Sequence, residues 1–268
     1  MMGHLWLSLS WWSSGTTKIL LITEYDGTHY HGSQLQSGVP TIQGEMEKAL
    51  WKLTGEKTRV MAASRTDTGV HAKGQVISFR TNSPLPLPTF VNGLNYYLPK
   101  DIAVKSSHKV EDTFNVRRDA ISREYNYYIL NSPTRSPIKQ GFSYLVPGDL
   151  DIDTVNQACQ ALIGEGNFVS FATCVGVGIK NPIRTVYRAE LEKDGEMAIF
   201  HMVASSFLPH QVRNTVGALV RVGLGRMTID EFHSIIEAKE LGLARPTAPA
   251  GGLCLMRVNY PCPFGERQ

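Results

Sequence analysis

The segment Ala62-Ala63-Ser64-Arg65-Thr66-Asp67-Thr68-Gly69-Val70-His71-Ala72 gathers a carboxylate, a guanidinium, hydroxyls and a glycine within a few residues. It follows a strand-like run. A carboxylate on a loop just past a strand end is well placed for chemistry, because the sheet fixes its position and the loop leaves it accessible. Spacing alone favours a plainer reading, in which Asp67 caps the next turn and Gly69 supplies a positive φ. Asp67-Thr68-Gly69 also spells the aspartic-protease signature. That chemistry needs two carboxylates sharing one proton, and the chain holds no second D-[TS]-G. A hydrolase built on Asp67 as nucleophile is a further option, but no metal-ligand set accompanies it. His29 and His31 invite a metal reading and lack a third ligand motif.

The elements that must position Asp67 can be read from periodicity. Lys18 to Tyr25 reads as a buried strand, broken by Asp26-Gly27. Thr41 fits a helix N-cap. Ile42, Met46, Ala49, Leu50 and Leu53 follow at helical spacing, and Gly55 closes the helix. Arg59 to Ala63 and Gln75 to Arg80 are strand candidates, the second with Ile77 and Phe79 on one face. Pro84, Pro86 and Pro88 form a stiff connector. Thr89 to Tyr97 reads as a helix ended by Pro99, and Asp101 to Val110 as a strand. This order is the ferredoxin-like split βαβ pattern.

A second unit repeats the alternation. Arg123 to Leu130 has strong strand propensity, and a loop-rich insert runs from Asn131 to Gly148. Asp151 to Ile163 reads as a helix closed by Gly164. Arg184 to Glu192 and Met197 to Ser205 are strands around an Asp194-Gly195 turn. His210 to Val222 and Thr228 to Ala238 read as helices, and Leu253 to Asn259 as a last strand. The expected class is therefore α+β: two ferredoxin-like (split βαβ) units with antiparallel sheets and a cleft between them. The expected divisions are 1–16 as a disordered or non-native tail, 17–112 as an N-terminal domain carrying the Asp67 loop, and 113–268 as a C-terminal domain.

Composition narrows the class of protein. Of 268 residues, 42% are hydrophobic and 19% charged, which excludes a disordered chain, a collagen and a coiled coil. Lys and Arg total 27 against 24 Asp and Glu. That balance permits a nucleic-acid partner without requiring one, since clustering decides. Four cysteines without a C-x-x-C pair suggest neither a zinc ribbon nor a disulfide scaffold, and favour a reduced, cytoplasmic protein. The start, with Trp6, Trp11 and Trp12 among serines, lacks the basic region of a signal peptide. No run of ~20 apolar residues predicts a membrane span.

The Asp67 segment resembles the catalytic motif of the TruA-type tRNA pseudouridine synthases, G-R-T-D-x-G-V-H-A, with Ser64 where glycine is usual. Tyr25-Asp-Gly-Thr28, His31-Gly32 and Gln34-Leu-Gln36 are similar to the family's N-terminal motif, with Ser33 in place of tryptophan. Thr41-Ile-Gln43, Asn92-Gly-Leu-Asn95, Leu98-Pro99 and Asp101-Ile102 match the next elements. Phe114-Asn115, Arg117 and Arg123-Glu-Tyr-Asn-Tyr127 match the start of the second half. Gly164-Glu165, Phe168 and Ser170-Phe171 are similar to G-x-H-D-F-x-S-F, with Gly166-Asn167 replacing His-Asp. Phe207-Leu208, Val212-Arg-Asn214 and Val216-Gly217 match a late helix, and Ala248-Pro249 and Gly252-Leu253 the closing strand. The resemblance runs from Ile19 to Tyr260.

The resemblance implies a pseudouridine synthase fold and an enzyme. It would isomerise uridine to pseudouridine at positions 38, 39 and 40 of the tRNA anticodon stem-loop, without metal or other cofactor. The base is flipped out of its stack, the glycosidic bond breaks, and C5 bonds to C1′. Asp67 matches the essential aspartate. It would attack C1′, attack C6, or act by a glycal route, each from an ionised carboxylate. Arg213 matches the arginine that keeps this aspartate charged. Tyr125 matches the tyrosine that stacks on the uracil, although Tyr127 shares its parity along the strand. Arg65 matches the arginine that holds the flipped nucleotide. Arg117, Arg123 and Arg184 are RNA-contact candidates, and these arginines should converge on one concave face. The implied partners are tRNA and a second copy of the chain. The competing reading is a ferredoxin-like RNA-binding protein without catalysis, which would have little reason to keep both Asp67 and Arg213.

Overall fold

The computed structural model of the chain describes residues 15–173, 179–262 and 264. Apart from Gly15 and Thr16, the segment expected as a tail lies outside the described residues, as does Cys174. The first half runs β1 (Thr17–Tyr25), α1 (Ile42–Thr54), β2 (Met61–Ala62), β3 (His71–Thr81), α2 (Leu87–Tyr97) and β4 (Ile102–Val110). Local chemistry sets the boundaries of α1. The Thr41 side chain accepts from Gly44 N at 3.1 Å, satisfying one of the free N–H groups of the first turn, and Gly55 closes the helix at φ 75°.

The second half runs β5 (Ser122–Leu130), β6 (Tyr144–Leu145), α3 (Ile152–Gln160), β7 (Gly164–Asn167), β8 (Ile183–Asp194), β9 (Met197–Ala204), α4 (Gln211–Gly223), α5 (Ile229–Ala238) and β10 (Leu253–Asn259). Asp151 caps α3, accepting from Thr154 N, and Thr228 with Glu231 forms a full capping box on α5. α4 begins one residue later than its periodicity predicts. His210 is not helical but sits ahead of α4 with φ 61°.

The strand order is β4-β1-β3-β10-β5-β9-β8-β7, with β2 and β6 pairing β3 and β5 beside this path. Within the first half, β4-β1-β3-β2 is the antiparallel order of a split βαβ unit, and β10-β5-β9-β8 repeats it in the second half. The two expected sheets are in fact one. β10 lies parallel to β3, with Cys254 opposite His71 and Leu255 opposite Ala72. The reason is the brevity of β2. The strand expected over Arg59 to Ala63 pairs only Met61 with Ser78 and Ala62 with Ile77. The other end of the same β3 edge stays open, and β10 occupies it.

Both halves place their helices on one face of the sheet. Phe79 of β3 meets Phe90 of α2 at 5.8 Å. Ile129 and Phe200 of the sheet meet Val155 of α3 and Val216 and Leu219 of α4. These side chains share strand parity with Gln75 and Tyr125, which meet around Ser64. The helix layers leave the middle of that face uncovered at the β3–β10 seam. Among the described residues, no helix is long and apolar enough to cross a membrane.

Candidate active site

The loop from β2 to β3 emerges where β2 stops and β10 has not yet begun to pair. Its backbone is tied down by polar side chains. Thr66 N donates to Ser33 Oγ at 2.8 Å, and Ser33 N donates to the Thr66 carbonyl at 3.0 Å. Thr66 Oγ1 shares a hydrogen bond of 2.8 Å with the Tyr25 hydroxyl. Gln75, buried on β3, donates to the Ser64 carbonyl at 2.7 Å and accepts from Ser64 N at 3.2 Å. Burial pushes the Tyr25 hydroxyl up to about 12, so it stays protonated and available to this network. Gly69 takes φ 77°, as the turn requires, and Val70 N donates to the Asp67 carbonyl at 3.1 Å. The turn is thus closed by backbone, and the Asp67 side chain is not used to cap it.

The Asp67 carboxylate instead faces α4. Arg213 Nη1 donates to Asp67 Oδ2 at 3.1 Å. Arg213 is 16% exposed and Asp67 35%. The guanidinium is itself fixed, because Nε donates to the Ala248 carbonyl at 2.8 Å while Ala248 N donates to the Arg213 carbonyl at 3.1 Å. Gly217 allows this contact. A Cβ there would lie 1.7 Å from the Pro246 carbonyl oxygen, so only glycine lets the 246–248 segment rest on α4. The second group at Asp67 is His210, whose Nε2 lies 3.5 Å from Oδ2.

A cleft of about 710 Å³ opens over these groups, lined by the Ala63–Thr68 loop, Arg117, Arg123, Tyr125, Ser206–Arg213 and Leu253. Tyr125 is 5% exposed. Its ring meets Phe207 edge-on at 5.1 Å, and its hydroxyl shares a 3.0 Å hydrogen bond with Ser64 Oγ. Burial raises the Tyr125 hydroxyl well above the ordinary tyrosine range, the Ser64 bond opposing it. Strand parity could not separate Tyr125 from Tyr127. The structure does: Tyr127 is fully buried, outside the cleft lining, and its hydroxyl donates to the Pro249 carbonyl at 2.6 Å.

Four of the five arginines expected on one concave face line this cleft: Arg65, Arg117, Arg123 and Arg213. Arg184 does not. It lies on β8 opposite Gly166, bonded to the carbonyls of Asn181 and Ile183. Arg65 and Arg117 are exposed. The Arg117 Nε nonetheless donates to the Ala62 carbonyl at 2.8 Å, and partial desolvation of this guanidinium lowers its pKa, the neighbouring Arg65 charge lowering it further. Arg123 is different in kind. It is 7% exposed, and its guanidinium reaches the carbonyls of Ala120, Ser205, Ala63 and Arg117. Burial lowers its pKa as well.

The departures from the expected motifs fall into two groups. Ser33 and Ser64 are built into the site through Thr66 and Tyr125. Gly166-Asn167 lie in β7, outside the cleft. His71 is buried beneath the loop, accepting from Gly27 N at 3.1 Å and bonding the carbonyls of Gly141 and Gly251 through Nε2. Sequence reasoning missed His210. Its signal was present, since a side chain three residues before Arg213 shares the same side of a helical turn.

A family model described as tRNA pseudouridine synthase matches residues 21–119 and 158–261. A tRNA pseudouridine synthase A of Francisella tularensis subsp. tularensis (strain FSC 198) is 42% identical over 242 residues, covering 90% of this chain and 93% of that protein. A tRNA pseudouridine synthase A of Shewanella amazonensis is 40% identical over 249 residues, covering 92% of this chain and 95% of that protein. The chain belongs to the tRNA pseudouridine synthase family. It is an isomerase that converts uridine to pseudouridine in tRNA.

Proposed function

We propose that the uridines converted are those at positions 38, 39 and 40 of the anticodon arm, and that Asp67 is the nucleophile. The observation that carries this reading is the 3.1 Å pair between Asp67 and Arg213, held in a cleft wide enough for one nucleotide. The guanidinium, fixed by its bond to the Ala248 carbonyl, sets its positive charge and an N–H donor against the carboxylate. Tyr125 offers the face on which the extruded uracil stacks, a contact typically worth ~1–3 kcal/mol. Phe207, Leu208 and Leu253 supply the apolar remainder of the pocket.

Arg65 holds the flipped nucleotide, and Arg117 beside it takes a phosphate. Arg123 contributes positive potential from below rather than a direct contact, because carbonyl oxygens already surround it. Arg184 is assigned to RNA beyond the flipped nucleotide. The chain acts in the cytoplasm as a homodimer, each cleft taking an anticodon arm while the tRNA leans on the other copy. Residues 17–112 and 113–268 form its two domains, consistent with the two-pair joint between β3 and β10.

Mapping pseudouridine in tRNA treated with the purified protein tests the target positions. Asp67→Asn tests the site. It should abolish conversion of an anticodon stem-loop transcript while leaving tRNA affinity largely intact, and full activity in that variant would sink the reading. Sedimentation tests the dimer.

A further inference from the structure

The reaction leaves a proton to be moved. When C5 bonds to C1′, C5 still carries its hydrogen, and the aromatic uracil returns only when that hydrogen leaves and N1 gains one. A proton acceptor must therefore reach the base while it sits over Asp67. Resting on the assignment of Asp67 above, we propose that His210 is this acceptor.

The cleft offers few candidates. Its arginines stay protonated and have no acceptor atom. The Tyr125 hydroxyl is held in its neutral form by burial and is already bonded to Ser64. Asp67 already accepts from Arg213 Nη1 at 3.1 Å, and in the assignment above it is the group that attacks the nucleotide, so it is not free to act as this base. Two imidazoles line the cleft, His31 and His210. His31 is exposed, and among the described residues it makes no ion pair with Asp67. The His210 Nε2 is 3.5 Å from Asp67 Oδ2, and its side chain, 27% exposed, is part of the cleft lining.

The surrounding chain is built to aim this ring. His210 occupies the N-cap of α4, yet its side chain caps no N–H group. Its backbone takes φ 61°, which a non-glycine residue adopts only where its surroundings enforce it. The enforcement is visible. Gln211, 1% exposed, accepts from Leu208 N at 2.8 Å and donates its own backbone N–H to the Leu208 carbonyl at 3.1 Å. Thr173 N donates to the Pro209 carbonyl at 3.0 Å, and Asn214 N to the His210 carbonyl at 2.9 Å. A helix that needed only a cap would take a serine or aspartate in extended backbone. This one takes a histidine in a left-handed turn, with the ring against the nucleophile.

The step balances without a redox partner. Neutral Nε2 takes the proton from C5. The C5–H electron pair becomes the C5=C6 bond, and the C6=N1 pair moves onto N1, which takes a proton from water. The imidazolium, formed 3.5 Å from the Asp67 carboxylate, is stabilised by it and returns its proton to water.

The test uses single-turnover conversion of stem-loop RNA carrying hydrogen or deuterium at uracil C5. His210→Asn suits a left-handed backbone. It should slow conversion by about 10²–10⁴-fold, with a larger C5 isotope effect than the unsubstituted protein and unchanged RNA affinity. His210→Gly relaxes the backbone and empties the ring's place, so added imidazole should restore part of its rate. A His210→Asn rate within roughly threefold of the parent, a slowing without a larger isotope effect, or no response of His210→Gly to imidazole would each overturn the proposal. Asp67→Asn is the separate arm. It should stop glycosidic cleavage altogether, whereas the His210 variants should still cleave, so failure of one assignment is distinguishable from failure of the other.

Discussion

The arginines that line the cleft keep different company from four on the outer strands and loops. Arg80 sits 2.6 Å from Asp112, Arg118 2.9 Å from Asp119 and Arg59 3.4 Å from Glu47, while Arg188 reaches Glu190 and Glu192. In the cleft, four arginines share one carboxylate, and Arg213 is the one that contacts it. Among the described residues, no carboxylate lies within ion-pair distance of Arg65, Arg117 or Arg123. The hollow is therefore basic in a chain whose net charge is only +3. Within the hollow the arginines divide again. Arg213 holds Asp67, Arg123 holds the walls, and Arg65 and Arg117 are exposed, Arg117 with its Nε donating to the Ala62 carbonyl at 2.8 Å.

Substitutions can break this division in order of expected effect. Arg213→Met strips Asp67 of its cation and should lower the single-turnover rate by about 10²–10³-fold, the scale for removing one fixed electrostatic partner. A rate within a few-fold of the parent would show that the pair is only structural. Arg123→Met leaves four inward carbonyls short of a donor. It should cost about 1–3 kcal/mol of stability, read as a lower melting temperature. The salt dependence of tRNA binding should not change.

Arg65→Ala and Arg117→Ala should do the reverse. Melting temperature should hold in Arg65→Ala and fall slightly in Arg117→Ala, which loses the Nε bond to the Ala62 carbonyl, while the slope of log affinity against log salt falls by about one for each arginine that contacts a phosphate. Arg80→Ala, paired with Asp112 outside the cleft, is the control and should leave that slope alone. The smallest effect belongs to Ser64→Gly. Loss of its bond to Tyr125 should cost about 0.5–1.5 kcal/mol in uracil binding. A double-mutant cycle with Tyr125→Phe should show the two changes to be non-additive.

Much of this architecture was legible because the cues were local. Thr41 and Gly55 bound α1, Asp194-Gly195 turns β8 into β9, and parity placed Ile77 and Phe79 together toward α2. Three features were not. β7, written Gly-Glu-Gly-Asn, has no strand propensity and forms because β8 offers it an edge. The shortening of β2 and the arrival of β10 on the same edge link residues some 180 positions apart, which no periodicity records. His210 reads as the first residue of a helix by pattern, and its left-handed backbone is imposed by Gln211 and the Leu208-Pro209 turn. At the site, motif order singled out Asp67, Arg213 and Tyr125, which line one cleft. Only packing could show that Arg123 is spent on carbonyls and that Arg184 lies elsewhere.

The position of β10 bears on how the protein is made. It is the last strand in chain order, yet it sits in the middle of the sheet, between β3 and β5. During synthesis the first unit can fold early, but one edge of β3 and one edge of β5 stay unpaired until the Leu253–Asn259 segment leaves the ribosome. Until then the nascent chain exposes two open strand edges. The segment that brings Ala248 to Arg213 also arrives only then. A chain interrupted before this segment would therefore carry Asp67 and Arg213 without holding them together.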